Sequence, residues 1–361
     1  SNDHESTALE EAREKLRAGL KVFIREGSAA KNLEALLPLV TKENKHRFCF
    51  CTDDRHPQDI MSEGHIDHVI RKAIGLGLDP VTAIQLGSHF TAVHFGLTRV
   101  GAVAAGYQAD LIVVEDLTTF RIREVYRAGE LVAREGKFLP DESGAVVAPP
   151  VDSVRLPADL REASFVVPAP AAGAKIRVIG MLLHQLLTSE LVEAPTVRDG
   201  QIVADVERDI LKLAVIERHR GSGNIGVGFV HGFGLKRGAL ASTVGHDSHN
   251  LTVLGTNDAD MLLAARALEK AQGGQVVVAD GQVLATMPLP IAGLMSTESA
   301  EVLVGQQESL RNAYRTLGSP VEDPFMTLSF MPLAVIPKLK LTDLGLVDVD
   351  RFDVVPLVVG D

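Results

Sequence analysis

Through residue 95 the apolar positions fall into blocks of two kinds, alternating along the chain. Leu9, Ala12, Leu16 and Leu20 recur at helical spacing, and LKVFI at 20–24 follows as a short continuous apolar run. A second helix begins after REGSAAKNL, through Leu33, Leu36 and Leu37, and RFCFC at 47–51 is the next buried run. Ile66, Val69, Ile70, Ala73 and Ile74 give another helical stripe, and Asp79-Pro80 supplies N-cap and first-turn chemistry for one more helix. Ser6-Thr7 followed by Glu10 reads as a capping box, and Gly19 marks the end of that first helix. Strand and helix in alternation predict a parallel sheet. The polar segments SNDHES, REGS and TDDRHP each stand before a helix, and the last two directly follow a strand. Charge therefore gathers at the C-terminal ends of strands, where barrels and open α/β sheets place their chemistry.

From 96 the pattern changes to Gly-punctuated short alternating strands, GLTRVGAVAAGYQADLIVVED and FRIREVYRAGELVAREGK, a small β unit. GAVVAPPVD at 144–152 reads as a Pro-rich connection. Beyond it KIRVIGMLLH, QIVADV, KLAVIER and NIGVGFVHGF are strand-like. A helix capped near Asn257-Asp258, two further strands, an amphipathic helix over 302–318 and a Pro-rich tail from 319 complete the chain. The predicted domains are 1–95, 96–150 and 151–361.

Composition narrows the function classes. The 361 residues are 46% hydrophobic and 23% charged, with a formal charge of −11 and no long basic run. Duplex DNA and membrane surfaces both call for clustered Lys and Arg, so neither is expected as a partner. A single nucleobase carries no phosphate and stays open. Cys49 and Cys51, the two cysteines, lie two apart on one strand, a poor geometry for a bridge. A reducing cytoplasm is the expected compartment. No apolar run reaches bilayer length, and the acidic, polar start is not a signal peptide.

Three clusters could carry chemistry: Asp3-His4-Glu5, Asp53-Asp54-Arg55-His56 and His246-Asp247-Ser248-His249-Asn250. Imidazole and carboxylate together are ligands for Zn, Mn or Fe, and a divalent ion makes water acidic enough for hydrolysis near neutral pH. Taken singly, each cluster reads as N-caps and helix-dipole partners. Two of them on successive strand ends favour a site. At least one of His65 and His68 reads as solvent-facing on its helix, His89 and His94 read as packing or capping residues, and 246–250 as a turn. The H-x-E with P-C-x-x-C signature of cytidine deaminases is absent.

CTDDRHP, IREGSAAKNLEALLP, DHEST with LEEAREKLRAG, and GHIDHVIRKAIGLGLDPVTAI together resemble bacterial adenine deaminases of the amidohydrolase superfamily. So do HDSHNLTVLGTNDADM and MPLPIAGLMS, whereas VGAVAAGYQADLIVVED resembles the superfamily at large. The resemblance implies an α/β chain: the last strands of a metal-dependent (β/α)8 barrel over 1–95, a small β-sandwich segment over 96–150, and a C-terminal α/β domain over 151–361. It implies two divalent ions, manganese or iron, with zinc the alternative. It implies His4 as a metal ligand after the sixth barrel strand, and Asp53 as a metal ligand and proton carrier after the eighth. Thr52-Asp53 matches the superfamily's Ser/Thr-Asp pair, which selects Asp53 over Asp54. Glu5, Asp54, Arg25, Glu26, His56, His246 and His249 are the candidates for substrate contacts or for supporting the ligands. The implied reaction is hydrolysis of adenine to hypoxanthine and ammonia, as in purine salvage. Partners would be a small purine and further copies of the chain. The family's His-x-His, its bridging Glu and its fifth-strand His have no counterpart here. HIDH at 65–68 and HDSH at 246–249 have the wrong spacing, so the chain looks like the C-terminal part of such an enzyme. The alternatives are an amidohydrolase acting on another purine or cyclic amide, and a catalytically incomplete fragment.

Overall fold

The computed structural model describes residues 1–28, 30–140, 152–182 and 185–360. The chain divides into two compact units, Ser1–Val146 and Val147–Asp361. The Pro-rich connection expected at 144–152 lies, apart from Asp152, outside the described residues.

The first unit begins with β1 (Asn2–Asp3), α1 (Leu9–Arg17), β2 (Lys21–Arg25), α2 (Leu33–Leu36), β3 (Phe48–Cys51), α3 (Pro57–Ser62) and α4 (Ile66–Gly75). α5 (Pro80–Gly87) and α6 (His89–His94) follow. The three strands form a parallel sheet in the order β1-β2-β3, with Asp3 beside Val22 and Arg25 beside Cys51. The period-two alternation of a strand explains the packing. Val22, Ile24, Phe48 and Phe50 enter one core with Ala12, Leu33, Leu36, Val69, Ala73 and Leu86 from the helices. On the other face Phe23 meets the His94 ring edge-on at 5.1 Å. Asp79 caps α5 as expected, accepting the Thr82 N–H at 2.9 Å. The capping box at Ser6 does not form: Asp3 Oδ2 takes the Ser6 hydroxyl at 2.6 Å, and Ala8, which has no side-chain acceptor, becomes the N-cap of α1. The second helix is shorter than its apolar stripe, because Pro38 turns the chain into a 3-10 turn at Leu37–Leu39.

A separate antiparallel sheet completes this unit: β4 (Leu111–Val114), β5 (Ile122–Arg127), β6 (Glu130–Arg134) and β7 (Lys137–Phe138), in that order. No sheet closes on itself among the described residues.

In the second unit β8 (Val167–Pro168), β11 (Val197–Arg198) and β12 (Gln201–Ile202) form a small sheet. The large sheet holds β9 (Lys175–Met181), β10 (Thr188–Glu193), β13 (Ile210–Ile216), β14 (Ile225–His231), β15 (Ala239–Ser242), β16 (Leu251–Gly255), β17 (Gly274–Ala279) and β18 (Gln282–Pro288). Its order is β10-β9-β14-β13-β16-β15-β17-β18. β19 (Leu339–Thr342), β20 (Gly345–Asp348) and β21 (Asp353–Val355) make a third sheet, while β22 (Val358–Val359) returns to pair with β9. The helices are α7 (Asp258–Lys270), α8 (Ala300–Arg315) and α9 (Pro324–Ser329).

Every residue of β13 is buried, the mark of a strand covered on both faces. Leu211, Leu213 and Val215 pack with Tyr314, Leu317 and Leu328. Ala214 and Ile216 pack with Met261, Ala264 and Leu268 of α7. Lys212 points to the α7 side and pairs with Asp258, in that helix's first turn, at 2.5 Å. Asn257 caps α7 through the Asp260 N–H at 2.8 Å. No helix among the described residues is long and apolar enough to cross a membrane.

Candidate metal centre

Because β1, β2 and β3 run parallel, the residues just past their C-terminal ends share one edge. His4 and Glu5 follow β1, Arg25 ends β2, and Thr52, Asp53 and Asp54 follow β3. His4 Nε2 lies 3.1 Å from Glu5 Oε1 and 3.4 Å from Asp53 Oδ2. One ligand atom from each of His4, Glu5 and Asp53 falls within 4.8 Å of the others, and all three residues are exposed. A mixed imidazole and carboxylate set of this size fits a divalent ion such as manganese, iron or zinc. Asp53 adopts φ 56°, in the left-handed region that a residue with a Cβ enters at a cost and that Asp tolerates better than most. Strain of this kind gathers at functional positions.

Arg25 lies behind the three. Its Nη1 is 2.8 Å from Asp53 Oδ2, its Nη2 is 2.6 Å from Asp54 Oδ1, and Nη1 reaches Glu5 at 3.5 Å. Burial works against the guanidinium charge, but Asp54, Asp53 and Glu5 outweigh it and raise the Arg25 pKa above the ordinary value. Gly27 leaves room for Asp54: a Cβ there would stand 2.1 Å from Asp54 Oδ1. Burial, followed by the Asp53 carboxylate, pushes the Cys51 thiol up to about 12. Cys51 therefore stays a neutral thiol near neutral pH, and the thiolate is the form that binds metals.

The other candidates divide. Glu26 is buried away from the His4 group, taking the Leu33 N–H at 3.1 Å and Lys72 Nζ at 2.5 Å. Asp3 likewise serves structure, binding Ser6 and, at 2.7 Å, Lys15. His56 is the N-cap of α3, and its backbone N–H donates to Ser28 Oγ at 2.9 Å. His65, one of the two helix histidines of which the sequence expects at least one to face solvent, has Nε2 2.9 Å from Thr52 Oγ1, next to Asp53. Nothing in the spacing of HIDH signals that contact. His246 and His249 belong to the second unit. The His246 ring stacks on Phe330 at 4.9 Å, and the two imidazoles are 5.9 Å apart. Burial, with the nearby His246 and Arg218, holds the His249 imidazole below its usual pKa.

Residues 4–132 match the amidohydrolase family, and residues 185–353 match the adenine deaminase C-terminal domain. Among curated relatives, one named adenine deaminase from Desulfatibacillum aliphaticivorans is 46% identical over 357 residues, 99% of this chain and 62% of its own length. One of the same name from Methanothrix thermoacetophila is 49% identical over 357 residues, with the same two coverages. A third, from Kosmotoga olearia, is 45% identical over 360 residues. The chain spans about three fifths of the length of these curated relatives. The amidohydrolase match covers the strand ends that carry His4, Glu5, Arg25 and Asp53.

Proposed function

We propose that this chain is part of an adenine deaminase, which adds water to adenine and releases hypoxanthine and ammonia. The observation that carries the reading is identity of 45–49% over nearly the whole chain to relatives named for that activity. Convergence of His4, Glu5 and Asp53 at one edge of a parallel sheet supports it. In this reading His4 and Asp53 would hold a divalent ion, with Glu5 as a third ligand from this chain. A bound ion would supply an acidified water and charge stabilisation at the reacting carbon. The complete enzyme would hold two ions, manganese or iron, with zinc as the alternative.

The side chains at this sheet edge have definite tasks. Asp53 Oδ2, between His4 and Arg25, takes a proton from the attacking water and returns one to the departing amine. Arg25 and Asp54 fix that carboxylate from behind. Thr52, linked to His65, holds the start of the loop. We assign the parallel sheet to the last strands of a (β/α)8 barrel, residues 96–150 to a β-sandwich segment, and 151–361 to the deaminase C-terminal domain. We assign the enzyme to purine salvage in the cytoplasm as a homo-oligomer.

The test is ammonia and hypoxanthine formation from adenine, with wild type and Asp53→Asn compared. The expected loss is about a hundredfold or more, the ordinary worth of a general base. An Asp53→Asn protein of near-normal rate removes Asp53 from the chemistry. A substrate panel that favours another purine or a cyclic amide replaces adenine.

A further inference from the structure

The strand-end cluster is divided by depth. The Arg25 side chain is 3% exposed and that of Asp54 6%, whereas His4, Glu5 and Asp53 are each nearly half exposed. Inside, Asp54 Oδ1 accepts from Arg25 Nε at 3.0 Å and Nη2 at 2.6 Å, and the closeness of Gly27 leaves that carboxylate little room to move. Outside, Arg25 Nη1 donates to Asp53 Oδ2 at 2.8 Å and faces both Glu5 oxygens at 3.5 Å. Arg25 and Asp54 cancel each other within. Glu5 and Asp53 then leave two negative charges on the open side, the amount that one divalent ion neutralises. Only an arginine spans the cluster this way, because its rigid fork grips one carboxylate while another N–H points outward.

We propose that Arg25 is a positioning residue: a fixed internal cation that holds Asp53 and Glu5 together without metal and, through its charge, limits how tightly a divalent ion binds beside it. The proposal rests on reading His4, Glu5 and Asp53 as ligands. Two carboxylates this close repel each other and splay apart unless a positive charge lies between them. Arg25 and a bound ion would share that task, both acting on the Asp53 carboxylate. Removing Arg25 has two opposed effects on ion binding. It loosens two side chains, and it deletes a unit charge a few ångström from the ion. The charge outweighs the lost rotamer order, so the variant binds the ion more tightly.

Mn2+ alone is titrated into the full chain, with free ion read from its electron paramagnetic resonance signal and stability from melting in chelator. Arg25→Gln is expected to bind Mn2+ about tenfold more tightly and to melt several degrees lower in chelator. Arg25→Gln with Asp54→Asn removes the inner pair together and restores affinity to within about threefold of wild type. Arg25→Lys keeps the charge without the fork, stays within about threefold, and decides the matter if Arg25→Gln does not fold. Wild-type or weaker affinity in Arg25→Gln overturns the role of Arg25, as does a tenfold change in Arg25→Lys. If wild type binds no Mn2+, the role given to Arg25 in this chain falls; if it binds Mn2+ unaffected by His4→Ala and Asp53→Asn, the ligand reading itself falls, whatever Arg25 does.

Discussion

Arg25 in the first unit and Arg218 and Lys340 in the second are all buried cations, held in two different ways. Arg25 is surrounded by carboxylates, and its charge is reinforced. Arg218 donates to the carbonyl oxygens of His249 at 2.5 Å, Ser153 at 3.1 Å and Ala292 at 3.0 Å. Burial lowers its pKa to about 10, with Glu217 pulling weakly the other way. Gly293 exists to make room, since a Cβ there would stand 2.7 Å from an Arg218 nitrogen. Lys340 donates to the carbonyls of Leu186 at 2.9 Å and Phe330 at 3.1 Å, and burial brings its pKa down to about 8. Carbonyl-held cations tie distant segments together through neutral acceptors. Arg25, held by three carboxylates, leaves surplus negative charge at its open side, and that arrangement can take up another cation.

The largest expected effect that would sharpen this contrast is at Arg218. Arg218→Ala leaves three half-buried carbonyls without this donor and opens a cavity, costing about 4 kcal/mol in denaturant unfolding of the second unit. A loss below about 1 kcal/mol would mean the loops hold without their pin.

Lys340 gives the next effect, read through pH. Its folded pKa of about 8 lies below the ordinary 10.5, so between those values the unfolded chain binds the extra proton. Stability of the second unit therefore rises as pH climbs through that window and falls again on the way down, by up to about 3 kcal/mol. Lys340→Met should remove that slope, and an unchanged slope would assign it to other groups.

The smallest effect is expected at Asp54. Asp54→Asn removes the inner partner of Arg25, but Asp53 remains at 2.8 Å to share the charge. Loss of a buried partner with that compensation should cost about 2 kcal/mol, measured by unfolding in chelator. A loss as large as that of Arg218→Ala would erase the distinction between the two kinds of cation.

Elements with a strong local signal were legible in the sequence. α5 and α7 start at the caps that Asp79 and Asn257 announce, and the apolar stripes of α1 and α4 mark their helices. The strand-end charge pattern brought the two clusters forward, the family resemblance picked His4 and Asp53 out of them, and those two side chains lie 3.4 Å apart. What escaped was non-local. Ser6 offers the pattern of a capping box, yet Asp3, whose side chain a one-dimensional reading leaves free, claims its hydroxyl. Glu26 looks like its neighbour Arg25 in sequence but turns to Lys72 and Leu33. Arg218 and Lys340 stand in or beside apolar strands, and no spacing rule says which carbonyls will close around them. His246 meets Phe330 from 84 residues away.

The returning strand β22 pairs Val359 with Lys175 and Val358 with Ile176, so the tail lies against the outset of β9. Arg177 reinforces the join by donating to the carbonyls of Pro356 and Val358. A force pulling residues 175 and 359 apart would load these bonds in series, opening them one after another like a zip. The second unit would accordingly yield at this seam under tension before its central strands bear any strain.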